Sequence, residues 1–554
     1  MDKAYVIGLD FGTDSARAIL VNAITGEEIA EKVNYYPRWA NGLYCDASKK
    51  QFRQHPLDYI ESLHVVLHGV LDAHSECRPY LKAIALDTTA STPCLADRNL
   101  TPLALRDEFK DNPDAMFVLW KDHTAEKEAE EIERACHKSQ DDYTKVAGFK
   151  YSAECYWSKV MHLLRESEEL SKAAYTIVEE CDWIPALLTG NTDPEKAKIG
   201  HCGAAQKMFW NEEWGGFPPR KFFTDMEPKL GPVLDTMRAQ KYTCDKAYGT
   251  ISRQWAEELD IPLQTIVGTG NVDSHQGAIG AGITYRTAVI NLGTSACCMA
   301  VVPPKEMGNR IVEGVFGQAD SIILPAMVGF EIGLSAFGDV FAWFKRILSY
   351  TTQNILASIE NIEPETKQRI ILETEDKIMQ QLTMDAEKLP IREDAPFATD
   401  WLNGRRSPDC NPYLWGSLMG LRLATTAPEL YYALVESTAF ALKRVVDTLD
   451  GGKVAIDKII GVGGIAQKSP FVMQMLADVI GKDLHVSACK QSCALGSAIC
   501  AAVVGRIYPT IQEAQKSMCM PIIKVYHPRK ELKEHFAKRF QQYMECDSFT
   551  KKML

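Results

Sequence analysis

The sequence predicts an α/β protein built from two similar domains, with a ligand cleft between them. Three observations carry this. A chain of 554 residues exceeds what one ordinary hydrophobic core encloses. Apolar strand-like runs alternate with helix-like stretches along its length. One design, an apolar strand, a Gly-Thr turn and a second apolar strand, occurs twice.

The first copy opens the chain. AYVIGLD reads as a strand, FGTDS as the turn, and ARAILVNA as the returning strand, with TGEE turning again. The second copy is RTAVINLGTSACCMAVV, with Gly293, Thr294 and Ser295 at its turn. Between them, LKAIALDTTASTPCLAD reads as strands and a loop, DHTAEKEAEEIERACHK as a helix, and ISRQWAEELDIP as a helix ending at a break. A fresh strand then begins between Thr265 and Gly268. The expected division is therefore 1–266 and 267–554. The stretch from Thr351 to Asp400 is polar and helix-prone, and PRKELKEHFAKRFQQYMEC reads as an exposed amphipathic helix. Both are expected to be structural.

Composition excludes several classes of function. A net charge of -12 leaves no basic excess for nucleic acid or an anionic membrane, so any phosphate binding must be local. The 16 cysteines are scattered in apolar runs without the spacing of a disulfide framework, as in reduced cytoplasmic proteins. The N-terminal residues enter a strand directly, without the features of a signal peptide. The apolar run from Ala326 to Phe344 is broken by Glu331 and Asp339. It reads as a buried strand and helix rather than a membrane span.

Four places could carry chemistry. In DFGTDS, Gly12 allows close approach of a phosphate and Thr13 and Ser15 add donors; Asp10, at the strand end, could hold Mg2+. Alone this is an ordinary hairpin turn, but the matching GTS turn favours a paired phosphate grip. Gly463 and Gly464 lie between a strand and a helix, where a nucleoside could rest on bare backbone, although such turns also serve packing. CALGSAICAAVVG, with small residues from Ala494 to Ala498, either packs beside that turn or forms a helix crossing. Finally, GTGNVDSHQGAIGAG holds one carboxylate, Asp273, among small residues. Its pattern fits both a general base for phosphoryl transfer and a helix N-cap.

In their order, GLDFGTDS, GNVDSHQGAIGAG, NLGTS, GVGGIAQKSP and CALGSAICAAV resemble the FGGY family of carbohydrate kinases across nearly the whole chain. YYPRW, MFVLWKDHTA, CDWIPALL, WGGFPP, GFEIGLSAFGD and WLNGRRSP resemble the branch of that family that phosphorylates ribulose, a ketopentose. The resemblance implies two actin-like, ribonuclease-H-like ATPase domains with ATP and sugar in the interdomain cleft. It implies Asp273 as general base, with the sugar held by the Ala90 backbone and by Lys207, Asp273 and Glu331. Read alone, Lys207 would be a surface lysine and Glu331 a solvated strand-end charge. Gly12, Thr13, Gly293 and Thr294 would contact phosphates, and Gly463, Gly464 and Lys468 the adenosine.

One departure stands out: where many members of the family carry W-x-D-x-R, this chain has Trp120, Asp122 and then Thr124. Asp122 is open to two readings, a sugar contact or a cap for the following helix. The implied reaction is transfer of the ATP γ-phosphoryl group to L-ribulose, as in arabinose catabolism, by a cytoplasmic enzyme that self-associates as a homodimer. The alternatives are another ketopentose, such as D-ribulose or xylulose, and an actin- or chaperone-like ATPase without a sugar substrate.

Overall fold

The seven residues of the first strand, Tyr5–Phe11, are all buried, because the sheet that contains them is covered on both faces. Tyr5, Ile7, Leu9 and Phe11 enter one core, and Val6 enters another on the opposite face. The structure, a computed structural model, describes residues 3–237 and 240–553.

Two mixed sheets organise the chain. In the first, the path runs Ala247–Thr250, Ile266–Gly268, Leu81–Thr88, Tyr5–Phe11, Ser15–Asn22, Glu28–Tyr35, with Asn271–Val272 also pairing Leu81–Thr88. In the second it runs Gly317–Asp320, Val328–Leu334, Ala296–Val302, Thr287–Leu292, Lys458–Val462, Leu484–Ser487, Ile522–Tyr526.

Read from Glu28–Tyr35 inward, the first path pairs antiparallel, antiparallel, parallel, parallel, antiparallel. Read from Val328–Leu334, the second path gives the same succession. The repeated Gly-Thr hairpin thus belongs to a repeated sheet, and the second sheet carries Gly317–Asp320 as an additional edge strand. The expected division at residue 266 falls within Ile266–Gly268, which pairs in the first sheet; the second sheet starts at Thr287.

The first strand and two helices from the second part of the chain meet through bare backbone. A Cβ added at Gly8 would stand 1.9 Å from the Ala494 carbonyl oxygen, one at Gly496 1.9 Å from that of Gln276, and one at Gly280 2.0 Å from that of Ser492. The helices Asp273–Gly280 and Ser492–Val504 and the first strand can approach so closely only because these residues carry no side chain. Of the two readings of CALGSAICAAVVG, the structure selects the helix crossing.

Other expectations hold locally. Ala326 to Phe344 forms the strand Val328–Leu334 and the start of the helix Gly338–Tyr350. The polar stretch includes the helix Pro364–Ala386. The C-terminal helix Lys533–Met553 is less exposed than its sequence suggests. Arg539 is buried against Glu436, and the Tyr543 hydroxyl donates to Asp400 at 2.7 Å. No cysteine of the described residues is in a disulfide. No helix among the described residues is long and apolar enough to cross a membrane.

Gly496→Ala is expected to lower the unfolding free energy by about 1–3 kcal/mol through forced displacement of backbone. Gly451→Ala, with nothing within 4 Å of its new Cβ, is expected to stay within about 0.5 kcal/mol. Urea denaturation of the two variants reads the difference.

Candidate active site

Three strand ends converge on a cluster of carboxylates. Asp10 ends the apolar run of the first strand and pairs in parallel register with Asp87 on Leu81–Thr88. Donor atoms of Asp10, Asp87 and Cys493 all lie within 4.8 Å of one another. Arg17, opposite Asp10 on the returning strand, donates to an Asp10 oxygen at 2.8 Å. Ser497, on the helix at the glycine contact, donates to Asp87 at 2.6 Å, while the other Asp87 oxygen is buried without a partner. Burial and the neighbouring Asp10 raise Asp87 well above the usual carboxylate range. A carboxylate pair with an orphaned, buried oxygen fits a divalent cation.

Asp273 faces the same cluster from the next element. It is the first residue of the helix Asp273–Gly280, whose N-cap is Val272, so it does not serve as the N-cap. Its Oδ1 accepts from the Ser274 N–H at 2.6 Å. Burial, then the charge of Asp10, push its pKa up to about 7, with Glu331 adding to the shift. A half-buried carboxylate poised near neutrality can accept a proton.

Behind it stands a second set. His275 is fully buried. Its Nδ1 lies 2.8 Å from the Cys202 sulphur. Its Nε2 lies 2.9 Å from a Glu331 oxygen, off the hydrogen-bond line, a close ion pair. Burial disfavours the imidazolium, but Cys202 and Glu331 outweigh it and raise His275 to about 10.

Glu331 lies within the strand Val328–Leu334 and accepts from Gln206 Nε2 at 2.7 Å. Burial opposes its charge, yet His275 and Lys207 hold it well below the usual carboxylate range. Lys207 ends the helix His201–Lys207; burial lowers its pKa, and Glu331, Cys155 and Glu154 together outweigh that, so the net shift is upward. The bland readings of both residues therefore fail: Lys207 is half-buried, and Glu331 is held among cations in mid-strand. Ala90 follows the strand that carries Asp87, and Thr89 beside it donates its N–H to the Phe11 carbonyl at 3.1 Å.

The two Gly-Thr turns each close with a bond from the glycine N–H, the first spanning one residue more than the second. The Gly12 N–H donates to the Ser15 carbonyl at 3.0 Å, and the Gly293 N–H to that of Ser295 at 3.0 Å. A Cβ at Gly12 or Gly293 would find its nearest neighbour at 3.6 or 3.7 Å. Packing therefore does not demand glycine at either turn, and the bare surface is open for a ligand. Thr13 Oγ1 accepts from the Trp120 indole N–H at 3.0 Å. Because an indole only donates, the hydroxyl hydrogen of Thr13 is left to point elsewhere. Gly293 and Thr294 carbonyls are tied to the N–H groups of Gly338 and Phe337 at 3.0 and 2.8 Å.

Gly463 is different. Its φ is +96°, and a Cβ there would meet the Leu292 oxygen at 2.6 Å. Packing against the second hairpin requires it, whereas Gly464 has open space. Lys468 is exposed at the end of Gly464–Lys468.

Sequence reading missed Asp87, Arg17, His275 and the pair Glu154–Arg406. Asp87 had a signal: IALD repeats the IGLD that ends at Asp10. Arg406, from WLNGRRSP, donates to both oxygens of Glu154 at 3.1 Å, an ion pair across the two halves that no spacing reveals. Asp122 has neither expected role. It is fully buried, accepting from the Phe52 N–H at 2.7 Å and from the Thr124 hydroxyl at 2.6 Å and pairing with Arg53, while the helix that follows is capped at Ala125.

The profile described as FGGY family of carbohydrate kinases, C-terminal domain, matches residues 288–504. The chain is 40% identical over 545 residues to the ribulokinase of Vibrio parahaemolyticus, covering 98% of this chain and 95% of that protein. It is 32% identical over 546 residues to the ribulokinase of Bacillus licheniformis, covering 97% and 95%. Among solved structures, the xylulose kinase from Rhodospirillum rubrum matches with a TM-score of 0.79 at 17% identity over 99% of each chain. Plasmodium falciparum glycerol kinase with ADP matches with a TM-score of 0.74 at 15% identity over 98% of each. At such identity these two structures bear on the fold alone.

A carboxylate whose folded pKa lies above its unfolded value binds its proton more tightly when folded, so stability falls as pH rises between the two values. Asp273→Asn removes that loss. Without ligands, the variant is expected to gain in urea midpoint over the parent, and to gain more at about pH 8 than at about pH 5.5.

Proposed function

The chain belongs to the FGGY family of carbohydrate kinases, within its ribulokinase branch, with the two-domain actin-like ATPase fold, and we propose from that premise that Asp273 is its general base. The enzyme phosphorylates ribulose at the expense of ATP. The observation that carries the assignment of Asp273 is a half-buried carboxylate raised to about 7, beside both the Asp10–Asp87 pair and the Glu331 set.

The acceptor is ribulose, held by the Ala90 backbone, Lys207 and Glu331, with its terminal hydroxyl toward Asp273. Lys207 and Glu331 are both held in their charged forms, and Glu331 is fixed by Gln206 and His275, so little reorganisation is needed to receive polar hydroxyls. ATP lies between the two turns. Thr13, with its oxygen engaged by Trp120, donates its hydroxyl hydrogen to a phosphate oxygen. Gly12 and Gly293 leave the backbone of both turns accessible, with Thr294 beside them. Gly463, Gly464 and Lys468 take the adenosine side, with Gly463 held against the second hairpin.

Asp10 and Asp87 would hold Mg2+, which when bound offsets phosphate charge. As the alcohol attacks in line, Asp273 accepts its proton. In this reading residues 1–266 supply chiefly the sugar contacts and residues 267–554 the nucleotide contacts, across a cleft spanned by the Glu154–Arg406 pair. A cytoplasmic location and a homodimer, the latter testable by light scattering, belong to the same proposal.

Asp273→Asn is expected to lose about 10²–10⁴-fold in kcat while still binding sugar; near-normal turnover overturns the assignment. In the parent enzyme, kcat/KM is expected to fall as pH drops through about 7, because protonated Asp273 cannot act as base, and that step should vanish from the residual rate of the variant. A coupled assay with L-ribulose, D-ribulose and xylulose fixes the acceptor: L-ribulose is expected to give the highest kcat/KM, and a preference for either other sugar reassigns it.

A further inference from the structure

Away from the carboxylate cluster, the first domain carries a group of side chains that the phosphoryl transfer does not use. His64 and His68 are one helical turn apart on the helix Pro56–Ala73, so they share a face. Glu258 reaches them from the helix Arg253–Leu259. One Glu258 oxygen lies 2.5 Å from His64 Nδ1 and 3.4 Å from His68 Nε2. The three donor atoms all lie within 4.8 Å of one another. We propose that His64, His68 and Glu258 form a binding site for a divalent transition metal of the zinc class.

The donor set has the right chemistry. Two imidazole nitrogens and one carboxylate oxygen suit zinc, with water in the fourth position, and do not suit magnesium or calcium, which prefer oxygen. Zinc bonds of ~2.0–2.1 Å at tetrahedral angles put neighbouring donors ~3.3 Å apart, close to the His68–Glu258 spacing. The short His64–Glu258 contact has to open, and the two imidazole nitrogens start within 4.8 Å of each other. The three side chains are 39%, 37% and 31% exposed, so an ion and its water can reach them.

The surroundings hold the donors in place. The His64 ring stacks on buried Trp255 at 4.4 Å and 28°, which limits its rotation. An Asp72 oxygen lies 4.0 Å from His68 Nδ1, on the ring nitrogen opposite the one offered to the metal. A carboxylate there is placed to accept from Nδ1–H once the two side chains close by about 1 Å, which would favour the tautomer that leaves Nε2 free to coordinate. Arg78, largely buried, binds both Asp72 and the carbonyl of Leu259, next to Glu258. One guanidinium therefore fixes the end of each contributing helix. Both helices pack on the face of the first sheet that receives Tyr5, Ile7 and Leu9, opposite the face met by the helix Ser492–Val504. A bound ion would fasten those two helices together without entering the cleft.

The test uses the full chain, stripped with a chelator and titrated with zinc alone by calorimetry. One equivalent is expected to bind at this site. The double variant His64→Ala/His68→Ala should weaken zinc binding at least about tenfold, and Asp72→Asn about tenfold through the lost second contact on His68. Zinc should raise the melting temperature of the parent and not of the double variant. Kinase turnover should be equal in all three proteins, which also shows that the variants are folded. Because the chain has 16 cysteines, Co2+ loading separates the sources: nitrogen and oxygen ligation without a sulphur-to-cobalt charge-transfer band is expected. Zinc binding no tighter in the parent than in the double variant, or a thiolate spectrum for the bound cobalt, overturns the proposal.

Discussion

The candidate site depends on the close approach of backbone at Gly8, Gly280 and Gly496. A single methyl at any of them would stand about 2 Å from a carbonyl oxygen, far inside contact distance. This approach sets more than packing density. The helix that begins at Asp273 and the helix that carries Ser497 are two of its three partners, so it fixes Asp273 and, through Ser497, Asp87. The first strand, third partner in the contact, delivers Asp10. Three carboxylates from well-separated parts of the chain are thus brought together by the absence of three side chains.

Such a cluster is electrostatically unfavourable by itself. Asp87 and Asp273 are both raised by burial and by Asp10, and Arg17 is the cation bonded to Asp10. Strain of this kind is tolerated at functional sites because ligands relieve it: a cation on the Asp10–Asp87 side, a proton on the Asp273 side. The neighbouring group is the opposite case. Glu331 already has the Gln206 amide and the His275 imidazole against it and the charge of Lys207 nearby before any ligand arrives. The cleft therefore has one region awaiting charge compensation and one already compensated, which correspond to the phosphate and sugar ends of the proposed reaction.

Much of this was legible in the sequence because it is local. The two Gly-Thr hairpins are each encoded in fewer than twenty consecutive residues, and their echo announces the repeated sheet. Asp273 stands out as the one carboxylate in a run of small residues. What the sequence hid is what depends on distant pairing. Asp122 looked like a cap or a ligand, and is a buried anchor for Phe52 and Arg53. Lys207 and Glu331 look bland alone, and gain their character only where the helix His201–Lys207 meets the strand Val328–Leu334. The Arg406–Glu154 pair joins residues that no local pattern connects. Asp87 lay between these cases, since its strand repeats the Leu-Asp ending of the first but lacks the glycine turn that drew attention there.

A duplicated ground plan would by itself give a cleft with two equivalent walls, unable to tell one end of its cargo from the other. The extra edge strand Gly317–Asp320 removes that equivalence. It pairs Gly317 with Glu331, and a Cβ at Gly317 would lie 2.5 Å from the Gln206 amide nitrogen, so its bareness is what lets Gln206 reach Glu331. One strand without a counterpart in the first sheet thereby marks the Glu331 end of the site as unlike anything its twin sheet can offer.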